Sequence, residues 1–256
     1  MNVQKRRARS RGWFLRVAAF LSIIALLAVS AGVIWLLTPQ TLLPEAAAAL
    51  VSDGLIEVTV SDTVIALMPV ADIHNTGLII YPGAKVPVTG YAPAARAIAE
   101  QGYPVFLVPM PGNFALLDVD QASQVQAAYP DVSRWAIAGH SLGGVAAAQY
   151  AARHLDSVQG LILWASYPTD DLSTSGLNVV SIWGSLDAAA ETIQSPDTRA
   201  RLPGDTRFVE IPGGNHEQFG YYTGQANDPV AAIARADQQA AIVEATVALL
   251  EQVGGR

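Results

Sequence analysis

Short apolar runs alternate with longer helical stretches through most of the chain. Each run is four residues long and consists mainly of aliphatic, β-branched or aromatic residues, as expected of a strand that is buried on both faces. The predicted strands are 78–81, 105–108, 135–138, 161–164, 179–182 and 208–211, and the predicted helices are 91–101, 119–128, 142–153 and 231–253. This alternation predicts an α/β fold in which a mainly parallel sheet carries helices on both faces.

A different pattern precedes these elements. The segments 55–60 and 64–68 alternate or cluster apolar and β-branched residues on either side of Ser61-Asp62. Two such segments joined by a short polar turn predict a β-hairpin. The hairpin opens the globular domain, which is predicted to span 54–256.

The N-terminal part of the chain has the pattern of a membrane anchor. An uncharged apolar run extends from Val17 to Leu37, and all six basic residues of this region precede it. A run of this length matches the roughly 20 residues that cross a bilayer as a helix. Basic flanks stay in the cytoplasm by the positive-inside tendency. We therefore predict a cytoplasmic flank over 1–16, a transmembrane helix over 17–37, a linker over 38–53, and a globular domain outside the cytoplasm.

A cleaved secretory signal is the alternative for this segment. Ala28-Val29-Ser30 resembles a small-residue cleavage site. The apolar run nevertheless continues to Leu37, well beyond the roughly 7 to 15 residues usual for the core of a signal. An uncleaved anchor is favoured, and both alternatives export the domain.

Charge and cysteine content argue against several classes of function. Beyond the basic flank, nine Lys and Arg residues remain against 22 Asp and Glu, a formal charge of −13. Such a surface repels phosphate backbones, which argues against nucleic acid as a partner. The chain has no cysteine, so a disulfide framework, a thiolate nucleophile and a Cys-ligated metal are excluded.

The sharpest motif is the pentapeptide GHSLG over 139–143, which joins the predicted strand 135–138 to the predicted helix 142–153. A G-x-S-x-G pentapeptide between a strand and a helix is typical of a nucleophile elbow, whose tight turn exposes the serine side chain. Its glycines remove Cβ atoms where turn and helix crowd each other. Ser141 is therefore the candidate nucleophile. A serine hydroxyl also needs a neighbouring base and a third group that orients this base.

The elbow and the order of strands and helices resemble the α/β-hydrolase fold. The stretch from Tyr81-Pro82-Gly83 to Gly213-Gly214-Asn215-His216 is similar to the compact, lidless branch of that superfamily related to dienelactone hydrolases. The resemblance covers most of the exported domain, although only the elbow is a sharp motif. It implies a serine hydrolase that works through an acyl-enzyme, without cofactor or metal. It also implies a triad in the chain order Ser, Asp or Glu, His.

The resemblance places the acid of the triad after the second strand beyond the elbow. Asp187 has this position, since it follows the predicted strand 179–182 by a short turn. Its carboxylate would accept the Nδ1 proton of the imidazole and hold the ring in the useful tautomer. Asp170 and Asp171, which follow the preceding strand, are the alternatives.

Four histidines are available as the base. His74 precedes the core strands, His154 lies at the far end of the elbow helix, and the side chain of His140 is expected to face away from Ser141. His216 follows the last predicted strand on a glycine-rich loop that is able to reach the elbow. Its place in the chain matches the order of the triad, so His216 is the predicted base.

Backbone amides are expected to stabilise the oxyanion of the reaction. One amide would be that of Leu142, the residue after the nucleophile. The other would come from Gly83 or Ala84, in the loop after the first core strand. The family commonly has a His-Gly pair in this loop, whereas this chain has Pro82-Gly83.

The interval between Ala165 and Asn178 is too short for the helical lid of many lipases. An open site that prefers short acyl chains is therefore predicted, acting on a small ester-like substrate. Acyl transfer or peptide-bond cleavage on the same triad, and a non-catalytic binding module, are the alternatives. The candidate wall residues are Met110, Phe114, Tyr167, Phe219 and Tyr221.

Overall fold

The structure, a computed structural model, describes residues 20–35 and 37–255. The chain divides into two units between Pro39 and Gln40. The first unit is helical over 20–35 and at Leu37. Among the described residues, no helix has both the length and the hydropathy that a bilayer span requires. The predicted flank 1–16 and residues 17–19 and 36 of the predicted anchor lie outside the described residues, so the anchor stays a prediction.

The second unit is built on an eight-stranded sheet. Its strands are β2 Ile56–Val60, β3 Ile65–Pro69, β4 Thr76–Tyr81, β5 Val105–Leu107, β6 Arg134–His140, β7 Gly160–Trp164, β8 Asn178–Gly184 and β9 Arg207–Ile211. Their order in the sheet is β2-β3-β5-β4-β6-β7-β8-β9, and β4 to β9 are all parallel. All six predicted core strands are therefore confirmed, as is the mainly parallel sheet.

The predicted hairpin is also confirmed. β2 and β3 pair in antiparallel register, with Ile56 opposite Pro69 and Val60 opposite Ile65. β3 also pairs antiparallel with β5, so the hairpin extends one edge of the parallel sheet.

Helices cover both faces of the sheet because the side chains of each strand alternate between two apolar cores. On β4, Leu78 and Ile80 face one core, and Ile79 and Tyr81 face the other. The helices of this unit are α1 Pro44–Ala48, α2 Ala92–Ala99, α3 Ala122–Ala128, α4 Leu142–Arg153, α5 Ala190–Gln194, α6 Pro196–Ala200 and α7 Arg235–Gly254. The first core contains residues of α2 and α7, and the second contains residues of α3 and α4.

Two of the predicted helices begin with a 3₁₀ turn. Val88–Tyr91 precedes α2, and Val119–Gln121 precedes α3. The last helix, predicted from residue 231, begins at Arg235 because the backbone before it bonds elsewhere: the amide of Ala232 donates to the carbonyl of Gly213. The elbow helix has the predicted bounds, Leu142–Arg153.

The segment predicted as a linker, 38–53, is folded from Gln40 onward. Its first strand, β1 Thr41–Leu42, pairs antiparallel with β10 Tyr222–Thr223. Ala46 of α1 is buried, and the guanidinium of Arg96 donates to the carbonyls of Ala49 and Val51. The alanine and leucine content of this segment suggests a linker, but from Gln40 onward the segment is part of the folded domain.

The order of strands determines where loops gather. The connection leaving β4 leads to β5 on one side, and β6 lies on the other side of β4. At such a switch point the loops after two neighbouring parallel strands separate and leave a crevice at their carboxyl ends. Tyr81 of β4 lies opposite Gly139 of β6, so the Pro82-Gly83-Ala84 loop and the elbow meet at this crevice.

Candidate active site

Ser141 has the backbone geometry of a nucleophile elbow. Its φ of 54° and ψ of −125° lie in a region that costs a non-glycine residue about 1–3 kcal/mol. Two hydrogen bonds hold it there: its amide donates to the carbonyl of Trp164 at 3.0 Å, and Ser166 Oγ donates to its carbonyl at 2.7 Å. The neighbouring strand β7 and the loop after it therefore fix the turn.

The two glycines of the motif are required by close approach of the backbone. A Cβ at Gly139 would collide with the carbonyl of Gly143, one turn further along. A Cβ at Gly143 would collide with the carbonyl of Pro82. The elbow thus packs against both its own helix and the loop after β4, and neither contact leaves room for a side chain.

Asp187 and His216 are hydrogen-bonded to each other. Nδ1 of His216 lies 3.0 Å from both carboxylate oxygens of Asp187, whose side chain is fully buried. The pair forms because β8 and β9 are neighbours and the loops after them are tied together: the amide of Leu186 donates to the carbonyl of Gly214 at 2.9 Å. A neutral imidazole held in this way carries its proton on Nδ1 and leaves Nε2 as an acceptor.

The alternative acids form neither a hydrogen bond nor an ion pair with the imidazole. Asp170 and Asp171 are both exposed. Asp171 accepts the amide of Ser173, and Asp170 accepts the hydroxyl of Thr169. Neither contacts His216, so the geometry favours Asp187 over both.

A second carboxylate, which the sequence analysis missed, positions the backbone around His216. Asp228 accepts the amide of His216 at 3.2 Å and the amide of Glu217 at 2.7 Å. Burial raises the pKa of its carboxyl, while these amides and the charge of His216 oppose the rise. Asp228 follows a positive-φ residue, Asn227, but nothing in that local pattern indicates which backbone its side chain meets.

Ser141 is not hydrogen-bonded to His216 in this structure. Among the described residues, its hydroxyl has no hydrogen-bond partner. The ring of the preceding residue, His140, nevertheless lies 4.5 Å from the ring of His216, which places the loop after β9 against the elbow. Hydrogen bonds between nucleophile and base are often long without substrate and shorten in the reacting complex.

Two of the three predicted oxyanion amides are available. The amide of Leu142 begins the elbow helix, where the first N–H groups have no partner within the helix. The amide of Ala84 donates to no acceptor in the described part of the chain. The prediction of Gly83 as an oxyanion donor is wrong, because its amide already donates to Tyr91 Oη at 3.0 Å. The candidate oxyanion donors are therefore Leu142 and Ala84.

The interval between β7 and β8 contains no helix. Residues 165–177 form turns, bends and irregular chain, as the sequence predicts for a lidless protein. Among the candidate wall residues, Phe219 is completely buried and stacks on His140 at 5.5 Å, so it is a packing residue. Leu142 and Leu186, each beside a candidate catalytic residue, are exposed and offer apolar surface instead.

The family model described as the alpha/beta hydrolase family matches residues 77–240, from β4 into α7. The match includes the elbow and the loops that carry Asp187 and His216. The chain belongs to the alpha/beta hydrolase family. A search of curated proteins found no match.

Solved structures share this fold at low sequence identity. One is a predicted CIB-like hydrolase from Thermoplasma acidophilum, 18% identical, with a TM-score of 0.57 over 77% of this chain and 98% of that one. A thermostable esterase from Pseudomonas putida is 14% identical, with a TM-score of 0.56 over 82% and 87%. A dienelactone hydrolase from Anabaena variabilis is 15% identical, with a TM-score of 0.54 over 77% and 98%.

Proposed function

We propose that the protein is a serine hydrolase that cleaves carboxylic esters through Ser141, His216 and Asp187. The observation that carries the proposal is the bond from His216 Nδ1 to the buried Asp187 carboxylate, held against an elbow whose serine is strained. Acyl transfer to serine requires an exposed nucleophile and an imidazole that a third group orients, and the elbow and the Asp187–His216 pair supply these parts. Membership of the family and the hydrolases among its structural neighbours agree with it.

The reaction proceeds in two halves. Ser141 Oγ attacks the carbonyl carbon while its proton passes to His216 Nε2, and the amides of Leu142 and Ala84 stabilise the oxyanion. The alcohol leaves with that proton, and an acyl-enzyme remains. Water then attacks the acyl carbon, His216 again transfers the proton, and the carboxylic acid is released. Asp187 stabilises the imidazolium in both halves.

The substrate is proposed to have a short acyl group. Leu142 and Leu186 supply apolar surface at the site, but residues 165–177 provide no helix to enclose a long chain. On p-nitrophenyl esters of graded length, we expect kcat/KM for acetate or butyrate to exceed that for palmitate by about tenfold or more. A strong preference for palmitate would contradict the open site.

The same assay separates hydrolysis from its alternatives. With an alcohol added, a hydrolase yields mainly free acid, whereas an acyltransferase yields mainly the new ester. A peptide substrate that is cleaved faster than any ester would indicate a peptidase. A protein that turns over none of these substrates would contradict the proposal.

We further propose that residues 17–37 anchor the domain outside the cytoplasm. In support, large apolar side chains from Phe20 to Leu37 are exposed along the described part of this segment. The full chain is expected to stay with membranes after a carbonate wash, and a variant lacking residues 1–39 to be released. Added protease should digest the domain of intact spheroplasts. Release of the full chain would contradict the anchor, and a mature N-terminus near Ser30 would indicate a cleaved signal instead.

A further inference from the structure

A buried chain of hydrogen bonds connects the loop after β4 with the elbow. The amide of Gly83 donates to Tyr91 Oη at 3.0 Å, and Tyr91 Oη lies 2.8 Å from His140 Nδ1. Tyr91 and His140 are both buried, with 0% and 1% of their surfaces exposed. Neither residue belongs to the triad, and the loop and the elbow are far apart in the sequence.

The positions of the protons in these two hydrogen bonds can be assigned. Among the described residues, Tyr91 Oη has only two partners, and the Gly83 amide is a donor, so the hydroxyl proton goes to His140 Nδ1. Burial raises the pKa of the Tyr91 phenol, so it keeps this proton. Burial, followed by the charge of His216, holds the pKa of His140 well below its usual range. His140 is therefore neutral, with its own proton on Nε2.

The other side of His140 faces the predicted base. The rings of His140 and His216 lie 4.5 Å apart, and Phe219 stacks on His140 with an interplanar angle of 9°. Nε2 of His140 has no hydrogen-bond partner in the described part of the chain. The backbone of His216 is the polar group that limits the fall of the His140 pKa. The ring of His140 therefore contacts both His216 and Phe219.

Gly83 is fitted to this arrangement. A Cβ at position 83 would lie 2.8 Å from His140 Nδ1 and 3.1 Å from Tyr91 Oη. A side chain at this position would push the loop away from both groups. The absence of a side chain lets the backbone that carries the Ala84 amide approach the elbow.

We propose that Tyr91 and His140 are positioning residues that fix the oxyanion loop and the His216 loop relative to Ser141. The inference rests on the proposed function, because it concerns the same reaction. Tyr91 holds Gly83 and hence the next amide, that of Ala84. Nδ1 of His140 accepts the hydrogen bond from the Tyr91 hydroxyl, and the His140 ring packs against the ring of His216. A misplacement of about 1 Å in such groups costs up to about a hundredfold in rate.

The first test is Tyr91→Phe, which removes only the hydroxyl. We expect kcat for p-nitrophenyl acetate to fall about tenfold while KM stays within about twofold, because the amide acts on the transition state. The matched control is Tyr150→Phe: Tyr150 of the elbow helix is also buried, and its hydroxyl bonds Gln126 and Ser123 of α3. The control should keep wild-type kcat even where its melting temperature falls. Equal kcat for Tyr91→Phe and Tyr150→Phe would overturn the proposal.

The second test is the coupling between the two residues. His140→Phe keeps the aromatic stack but removes both nitrogens. If the two residues act as one hydrogen-bonded unit, the double variant loses no more in kcat than the worse single variant, whereas independent residues give losses that multiply. Each kcat is normalised to the fraction of enzyme that a fluorophosphonate titrates. Losses in kcat that multiply would contradict the proposed coupling between Tyr91 and His140.

A measurement on the wild-type chain does not depend on how the variants fold. The ¹⁵N shifts of His140 at neutral pH are expected to show the neutral ring with its proton on Nε2, and the opposite tautomer would overturn the assignment. Failure of the proposed function has a different result: wild type would show no Ser141-dependent turnover at all. An active wild type with an unchanged Tyr91→Phe would refute only the positioning role.

Discussion

Ser141→Ala is expected to lower kcat for p-nitrophenyl acetate by roughly 10⁴- to 10⁶-fold. The hydroxyl is the atom that bonds to the substrate, and removal of a triad nucleophile elsewhere has effects of this order. Stability should change little, because Ser141 Oγ has no hydrogen bond among the described residues. The measurements are steady-state kinetics and a thermal melt of both proteins.

Ser133→Ala is the matched control for this substitution. Ser133 lies just before β6, at the opposite end of the strand that leads to the elbow, and it is exposed. Its variant should keep wild-type kcat. If Ser141→Ala retained more than about a tenth of the activity, Ser141 would not be the nucleophile, since the residual activity of such variants is far lower.

Asp187→Asn is expected to lower kcat by about 10⁴-fold while the protein stays folded. The amide keeps the shape of the carboxylate, and its oxygen is still able to accept the amide of Ala189, which Asp187 Oδ1 accepts at 2.7 Å. The imidazole of His216, however, loses the negative charge that stabilises it when it takes the proton. It also loses the acceptor that fixes its tautomer. The measurement is kcat for p-nitrophenyl acetate with a circular dichroism spectrum of each variant.

The alternative acids provide the comparison for Asp187. Asp170→Asn and Asp171→Asn remove exposed carboxylates that do not contact His216, so kcat should stay within about twofold of wild type. The assignment fails if either of these variants loses activity while Asp187→Asn keeps it.

Much of the fold could be predicted because its signals are local. Each core strand is a short apolar run between turn residues, and the elbow is marked by glycines within five residues of sequence. The chain order of the strands then places the loops with Asp187 and His216 side by side once the sheet is parallel. These features depend on pattern and topology alone.

What could not be predicted depends on contacts between distant segments. The hydrogen bond from the Gly83 amide depends on where the ring of Tyr91 packs, and no local sequence pattern specifies that position. The partner of the Asp228 side chain is set in the same way by the path of its loop. The segment after Gln40 has the composition of a linker, but its strand β1 pairs with β10, 180 residues away in the chain.

Labelling with a fluorophosphonate tests the central claim most directly, because the probe reacts only with a serine that a base has activated. Intact mass spectrometry of the wild-type protein should show one adduct, and peptide mapping should find it on Ser141. His216→Ala, which leaves the serine in place, should label at least about a hundredfold more slowly. An adduct on another serine, no adduct, or equal labelling of wild type and His216→Ala would contradict the account.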